Sequence, residues 1–344
     1  MNLTAAIELR DPAQLPSKRD EDWRWTDLRG LIRQVPDASA AVDPRDVGQG
    51  AFEHLADEAF VVANGRGDVA IRVAAGEAKT IELRFLSRGS GSHTARAEIE
   101  VAAGGRLTLL ETYEGDDGGY VAHASLAIRL ADGAVLERIV LAADGAEGVS
   151  VSEAEVSLAP GADYGQSVLL SGARRQRVET RVGLPGSGAK VRLDGVYLLA
   201  DKRHADLTTV VTHQGTDGVT MQMAKGVVRD QARGVFQGRI VVAEGADGTD
   251  ARMEHHALIL SERAEVDAKP ELEIYADDVA CSHGNTVGAL DDDALFYARQ
   301  RGIPEAEARA LLTEAFIGAV IDRIGHEGAR EIVRQWAADR LRAA

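Results

Sequence analysis

The stretch KPELEIYADDVACSHGNTVG, residues 269–288, holds the one cysteine of a 344-residue chain. Cys281 and His283 are separated by a single serine, and side chains two apart on a strand project from the same face. A thiolate and a neutral imidazole placed in that way can approach one metal site together. Asp277 and Asp278 suggest a bend; a fresh strand from Val279 puts Val279, Cys281 and His283 on one face and Ala280 and Ser282 on the other, with Gly284 and Asn285 ending it. The ordinary alternative is a cysteine that serves as a small buried hydrophobe beside a solvated or hydrogen-bonded histidine. On these residues alone both readings stand. A single cysteine excludes an internal disulfide framework and any all-cysteine zinc or iron–sulfur site made by one copy of the chain. It also makes a reducing cytoplasm the natural compartment.

Other constellations are weaker. His255 and His256 are adjacent and would point to opposite sides of a strand, a poor chelate. His204, Asp206 and His213 could line one coil, although a polar ladder on a solvated exterior is the default. No G-x-x-x-x-G-K-[ST] loop, G-x-S-x-G elbow or H-E-x-x-H pair occurs, so the chain itself reads as a non-enzyme.

The elements that must position Cys281 and His283 are strands. From residue 59 to 288 the chain is a succession of short runs of period two, such as TIELRFLSRG, ASLAIRLADG and EAEVSLAPGADYG. In the last of these, Ala154, Val156 and Leu158 alternate with Glu155 and Ser157, as a strand with one dry face requires. Each run ends in Gly, Asp or Pro-Gly, and the terminators share a likeness: Ala131-Asp132-Gly133, Ala143-Asp144-Gly145, Gly245-Ala246-Asp247-Gly248. So many strands overfill one sandwich. They suit a solenoid that grows in one dimension, and the irregular repeat argues for a right-handed parallel β-helix over a left-handed hexapeptide one. The same irregularity sets the Asp-Gly turns apart from calcium-binding nonapeptides. The RGD string at residues 66–68 reads as part of a glycine turn.

Residues 1–58 read as an N-terminal helical and loop region, with Trp23, Trp25, Leu28, Leu31 and Ile32 spaced for a short helix or two laid on a body. Residues 289–344 read as a C-terminal helical region. Asp291, Asp292 and Asp293 place negative charge at a helix start, Gly302 stops that helix and Pro304 opens the next. In that second helix Ala308, Leu311, Leu312, Ala315, Phe316, Ala319, Val320 and Ile324 trace an apolar face, for the body or for a partner. Gly325 and Gly328 break it before a final short helix, EIVRQWAADRLR.

Composition narrows the partners. Hydrophobic residues make up 45%, enough for a core, and the formal net charge is −16, which argues against nucleic acid and anionic membrane surfaces. The N-terminus carries no signal-peptide pattern, and no apolar run approaches the ~20 residues of a membrane span.

The motif region also resembles a known family. KPELEIYADDVACSHGNTVGALDDDALFYARQRGIP is similar, nearly end to end, to the C-terminal signature of the SufB/SufD family of iron–sulfur cluster assembly proteins. ARGVFQGRIVVAEGADGTDA (232–251), HADLTTVVTH (204–213), FVVANGRG and DEDWRWTDLRGL (20–31) resemble further parts of it. The resemblance implies a right-handed parallel β-helix with helical ends, a heterodimer joined through the helix end with a SufB-type subunit, and SufC ATPase subunits on the C-terminal helices. A homodimer remains open for the isolated chain. It implies a transient iron–sulfur cluster shared with the partner, with a flavin on the complex as a candidate electron source, and it puts His283 and Cys281 at the subunit junction as metal ligands. The SufB branch carries further cysteines; this chain has one, so the likeness is to the other branch. Two alternatives stay open: a purely structural solenoid that never touches metal, and a β-helix carbohydrate-active enzyme such as a polysaccharide lyase.

Overall fold

A computed structural model describes residues 3–342. The alternating runs become seventeen strands that stack as a parallel β-solenoid of two facing sheets. One sheet holds the odd strands in order: β1 (Glu58–Ala63), β3 (Ala78–Ser87), β5 (Arg106–Gly115), β7 (Val135–Ala143), β9 (Asp163–Leu170), β11 (Lys190–Leu199), β13 (Val219–Val228), β15 (Asp250–Ile259) and β17 (Ala280–Gly288). The other holds β2 (Val69–Val73), β4 (Ser92–Val101), β6 (Val121–Leu130), β8 (Val149–Leu158), β10 (Arg175–Leu184), β12 (His204–His213), β14 (Arg233–Val242) and β16 (Glu265–Ile274). Every strand therefore pairs with the strand one coil away. Arg177 is aligned with Asp206, and His204 with Arg233, each 29 residues on.

Inward side chains fill the space between the sheets with one continuous core of small aliphatics, among them Val140, Ala154, Leu193 and Ile240. This is why so few aromatics suffice. Tyr197 is one of the bulkier side chains in it, with Phe85, Tyr113, Tyr164 and Phe236, and glycines make room for it: a Cβ at Gly226 or Gly234 would lie 1.9 or 2.4 Å from its ring atoms. The recurrent turns stack as well. Gly133, Gly161 and Gly188 sit at φ of +63° to +67°, and their amides donate to Pro160, Ser187 and Thr216 of the following coil. Glycine is needed there because L side chains avoid this backbone region.

Two appendages cover the outside. At the N-terminal end, α1 (Leu3–Glu8), α2 (Leu28–Leu31) and intervening 3-10 turns lie against the sheet of even strands, with Leu3, Ile7, Leu15 and Leu28 packed on Val121, Val149 and Val151. At the C-terminal end come α3 (Asp292–Gln300), capped by the Asp291 carboxylate on the amides of Asp293 and Ala294, α4 (Glu305–Ile321) and α5 (Glu327–Arg342). Ile317, Val320, Ile321 and Ile324 pack on Leu110, Ile139, Leu169 and Val196 of the odd-strand sheet. The tail thus spends its apolar face on its own body.

Three local expectations change. The buried face of α4 runs through Ile317 and Ile321, while Leu311 is exposed; a helix apolar nearly all round does not announce which side is inside. Gly328 lies within the first turn of α5 rather than ending a helix, and glycine is used there for close approach, since a Cβ would meet Leu55 at 2.7 Å. Gly284 and Asn285 do not end their strand: β17 keeps its ladder with β15 as far as Gly288 opposite Leu258.

Candidate metal-binding edge of the last coil

β17 is the last strand of its sheet and β16 the last of the other, so the outer edges of this coil have no strand partner among the described residues. Asp278, at φ +52°, makes the turn between them. On β17 the register sets Cys281 beside Ala251, His283 beside Met253 and Asn285 beside His255, all inward positions on β15. Cys281 and His283 therefore share the inner face of the terminal strand, as their spacing predicts. Cys281 is half-buried against the end of the core, and His283 is exposed. Burial pushes the Cys281 thiol above its ordinary pKa; a backbone hydrogen bond from Ala251 opposes the rise and Asp250 adds to it. The thiol is protonated at neutral pH until a cation draws the thiolate out.

Among the described residues no three His, Cys, Asp or Glu side chains converge as a metal site. A thiol and an imidazole are fitting donors for iron, but two donors alone do not complete a coordination shell.

One neighbour was not foreseen. The His255 ring is enclosed, stacked on Phe236 with centroids 4.6 Å apart, and it accepts a 2.8 Å hydrogen bond from the Tyr197 hydroxyl at Nε2. Its Nδ1–H donates to Asn285 Oδ1 at 2.7 Å. Burial holds its pKa down to about 4, so it is neutral at physiological pH. His256 faces out and meets Thr286, so the histidine pair is divided as its adjacency requires. Parity was the available signal: Asn285 continues the Cys281–His283 face once the strand is allowed to run on.

The ladder of His204, Asp206 and His213 is neither solvated nor a single cluster. His213 points inward to Thr220, 2.8 Å away. His204 and Asp206 point outward but are buried beneath the N-terminal segment, His204 against the Trp25 carbonyl and Asp206 against the Thr26 hydroxyl. Arg177 pairs with Asp206 and Glu179 and lies under the Trp23 ring. Within the core, sequence reading also missed Arg138, fully buried, which binds Glu111 through two 2.7 Å bonds and donates to Gln166 at 2.9 Å. Both charges stand at positions whose strand neighbours Leu109 and Val140 are inward and apolar.

A two-sheet parallel solenoid with helical ends and an open terminal coil defines the structural class. The SufBD core domain of the SUF system for FeS cluster assembly matches residues 85–316, and the chain belongs to the SufB/SufD family. The iron–sulfur cluster assembly protein SufD of Escherichia coli is 29% identical over 379 aligned residues, covering 95% of this chain and 89% of that protein. SufD of Bacillus subtilis is 32% identical across 46% of this chain and 39% of its own length. A SufBD family protein of Synechocystis is 35% identical across 44% and 34%. The likeness along the whole chain is thus to SufD, and a role in iron–sulfur cluster assembly comes with it. Among the described residues no helix is long and apolar enough to cross a membrane.

Proposed function

We propose that this chain is a non-enzymatic half of a cluster-assembly scaffold, pairing through β16 and β17 with a SufB-type subunit in the cytoplasm. The observation that carries this reading is the placement of Cys281 and His283 side by side on the inner face of an edge strand with no partner. Parallel edges accept a further strand, and a second chain docked there brings its own thiols and carboxylates to the two donors. The nascent cluster is then cargo held between subunits. ATP hydrolysis is assigned to a SufC-type subunit on the C-terminal helices, where Phe296 and Tyr297 of α3 are largely exposed and the sequence carries no phosphate-binding loop of its own. A flavin, if the complex uses one, has no assigned place on this chain.

Co-expression with SufB- and SufC-type partners, followed by anaerobic iron and sulfide analysis, tests the assignment. The His283→Ala complex should assemble with normal stoichiometry and hold less iron and sulfide than wild type. Equal metal and sulfide content would leave the solenoid a structural subunit only. Recovery of a stoichiometric ATPase complex after deletion of residues 290–344 would remove the docking role of the tail.

A further inference from the structure

The seam between helical tail and solenoid encloses a cavity of about 410 Å3. One wall is formed by the turns that follow β9, β11, β13 and β15, the other by α4 and α5. Four arginines reach it: Arg203 and Arg229 from turns, Arg309 from α4 and Arg340 from α5, with Asp201 the single carboxylate in the lining. In a chain of net charge −16 this is an unusual gathering of cations.

Two of the four are answered locally. Arg309 pairs with Glu305 at 2.9 Å, and Arg229 lies 3.9 Å from Asp230. The other two are not. Arg203 directs Nη1 to the carbonyls of Asp144 and Gly172, and Arg340 lies over the Trp336 ring at 4.7 Å. Among the described residues neither meets a carboxylate. Arg340 Nε is buried with no hydrogen-bond partner. Burial first, and then the charge of Arg203, holds the pKa of Arg340 down to about 10. An unmet guanidinium N–H away from water is costly, and an anion removes that cost. The remaining lining is apolar, with Leu199, Val227 and Leu260 facing the cavity.

We propose that this seam binds a small organic phosphate, its phosphate held by Arg203 and Arg340 and its organic body against Leu199, Val227 and Leu260. Arg340, with its unmet donor, and Arg203, which makes no ion pair and feels the Asp144 carboxylate only at a distance, together suit one phosphate, and their planar forks match its oxygens. The apolar wall explains why a bare ion does not suffice. A ligand there would bridge the solenoid turns to α5 and so fasten the tail. The site needs no partner chain, so its fate is separate from that of the scaffold reading.

The test is calorimetric titration of the full chain with phenyl phosphate at low salt. Saturable one-to-one binding with a raised thermal midpoint is expected. Arg340→Gln and Arg203→Gln should each weaken it at least tenfold, whereas Arg129→Gln, an exposed arginine on the opposite sheet, should not. Absence of saturable binding to wild type overturns the proposal, and so does binding that both variants retain. Inorganic phosphate bound as tightly as phenyl phosphate would also overturn it, since the apolar wall would then play no part. Should either variant fail to fold, the wild-type titration against inorganic phosphate still decides.

Discussion

His255 and Asn285 are joined across the last coil by a 2.7 Å hydrogen bond, and the same ring is bonded on its other side to Tyr197. The three residues form a short relay from the packed interior to the strand that carries Cys281 and His283. Strand β17 has a ladder on one side only, so this side-chain contact adds anchoring that the free edge lacks. The relay works because the histidine is neutral: one ring nitrogen donates and the other accepts.

Replacing Asn285 with Ala should therefore loosen the terminal strand without disturbing the coils below it. The expected global cost is about 0.5–1.5 kcal/mol, the usual net worth of one hydrogen bond. His255→Leu removes both bonds and the stacking on Phe236, and should cost about 1–3 kcal/mol by leaving the Tyr197 hydroxyl unpaired inside. Hydrogen exchange resolved by segment is the check. Amides of residues 280–288 should exchange faster in both variants while those of β5 to β9 stay unchanged, and an unaltered terminal strand would show the relay to be incidental.

Acid should destabilise the isolated chain through its buried histidines. His93, His204, His213 and His255 all have their pKa held down to about 4, chiefly by burial. Unfolded, each titrates near 6.5. Between these limits the unfolded chain binds protons that the native chain refuses, so stability is complete above pH 6.5 and falls as pH drops toward 4. Each such histidine contributes roughly 1.4 kcal/mol per pH unit inside that window. Asp144 and Asp194, raised by burial, work in the opposite direction, because the native chain takes up their protons before the unfolded chain does. Urea unfolding at pH 7 and pH 5 should give clearly different free energies; equal values would mean these rings gain protons without unfolding.

The class of fold was legible because a solenoid repeats its instruction. Ala154, Val156 and Leu158 spell a strand, Gly161 spells the turn after it, and the pattern recurs coil after coil. Cys281 and His283 were legible for the same reason, since period two alone places them on one face. What the sequence hid depends on distances of more than a hundred residues. Nothing near Asp206 says that Thr26 will cover it, and nothing near Ile317 says which side of α4 will meet Ile139. Arg138 and Glu111 were hidden by the rule that charges face water, which each breaks by having the other.

That pair yields a stability prediction. Arg138→Met leaves Glu111 buried and unpaired, with Gln166 and Thr180 losing a donor, and should cost about 3–5 kcal/mol. Combining it with Glu111→Leu should recover much of the loss, because two apolar side chains satisfy each other where one carboxylate cannot. Chemical unfolding of the three variants measures this. A double variant as unstable as the two singles added together would show that the network is needed for more than charge neutrality.

The N-terminal segment is the last case, since it covers a charged site on an outer face that a solenoid normally leaves wet. Arg177 donates to Glu179 and Asp206 and to the Asp22 carbonyl, with Trp23 over its guanidinium at 4.3 Å. Gln237 and Thr26 close the remaining acceptors of Asp206. If the segment is held mainly by this polar seat, Trp23→Ala should cost about 1–2 kcal/mol through the lost cation–π contact and packing. Arg177→Met should cost more, about 3–5 kcal/mol, because Asp206 then stays buried without a cation while Glu179 keeps only Arg181. Trypsin should cut after Arg19 or Arg24 faster in both variants than in wild type. The order matters more than the sizes: a Trp23→Ala chain cleaved faster and unfolding earlier than Arg177→Met would mean that apolar packing of α1 and Leu28, rather than the buried arginine, holds the segment down.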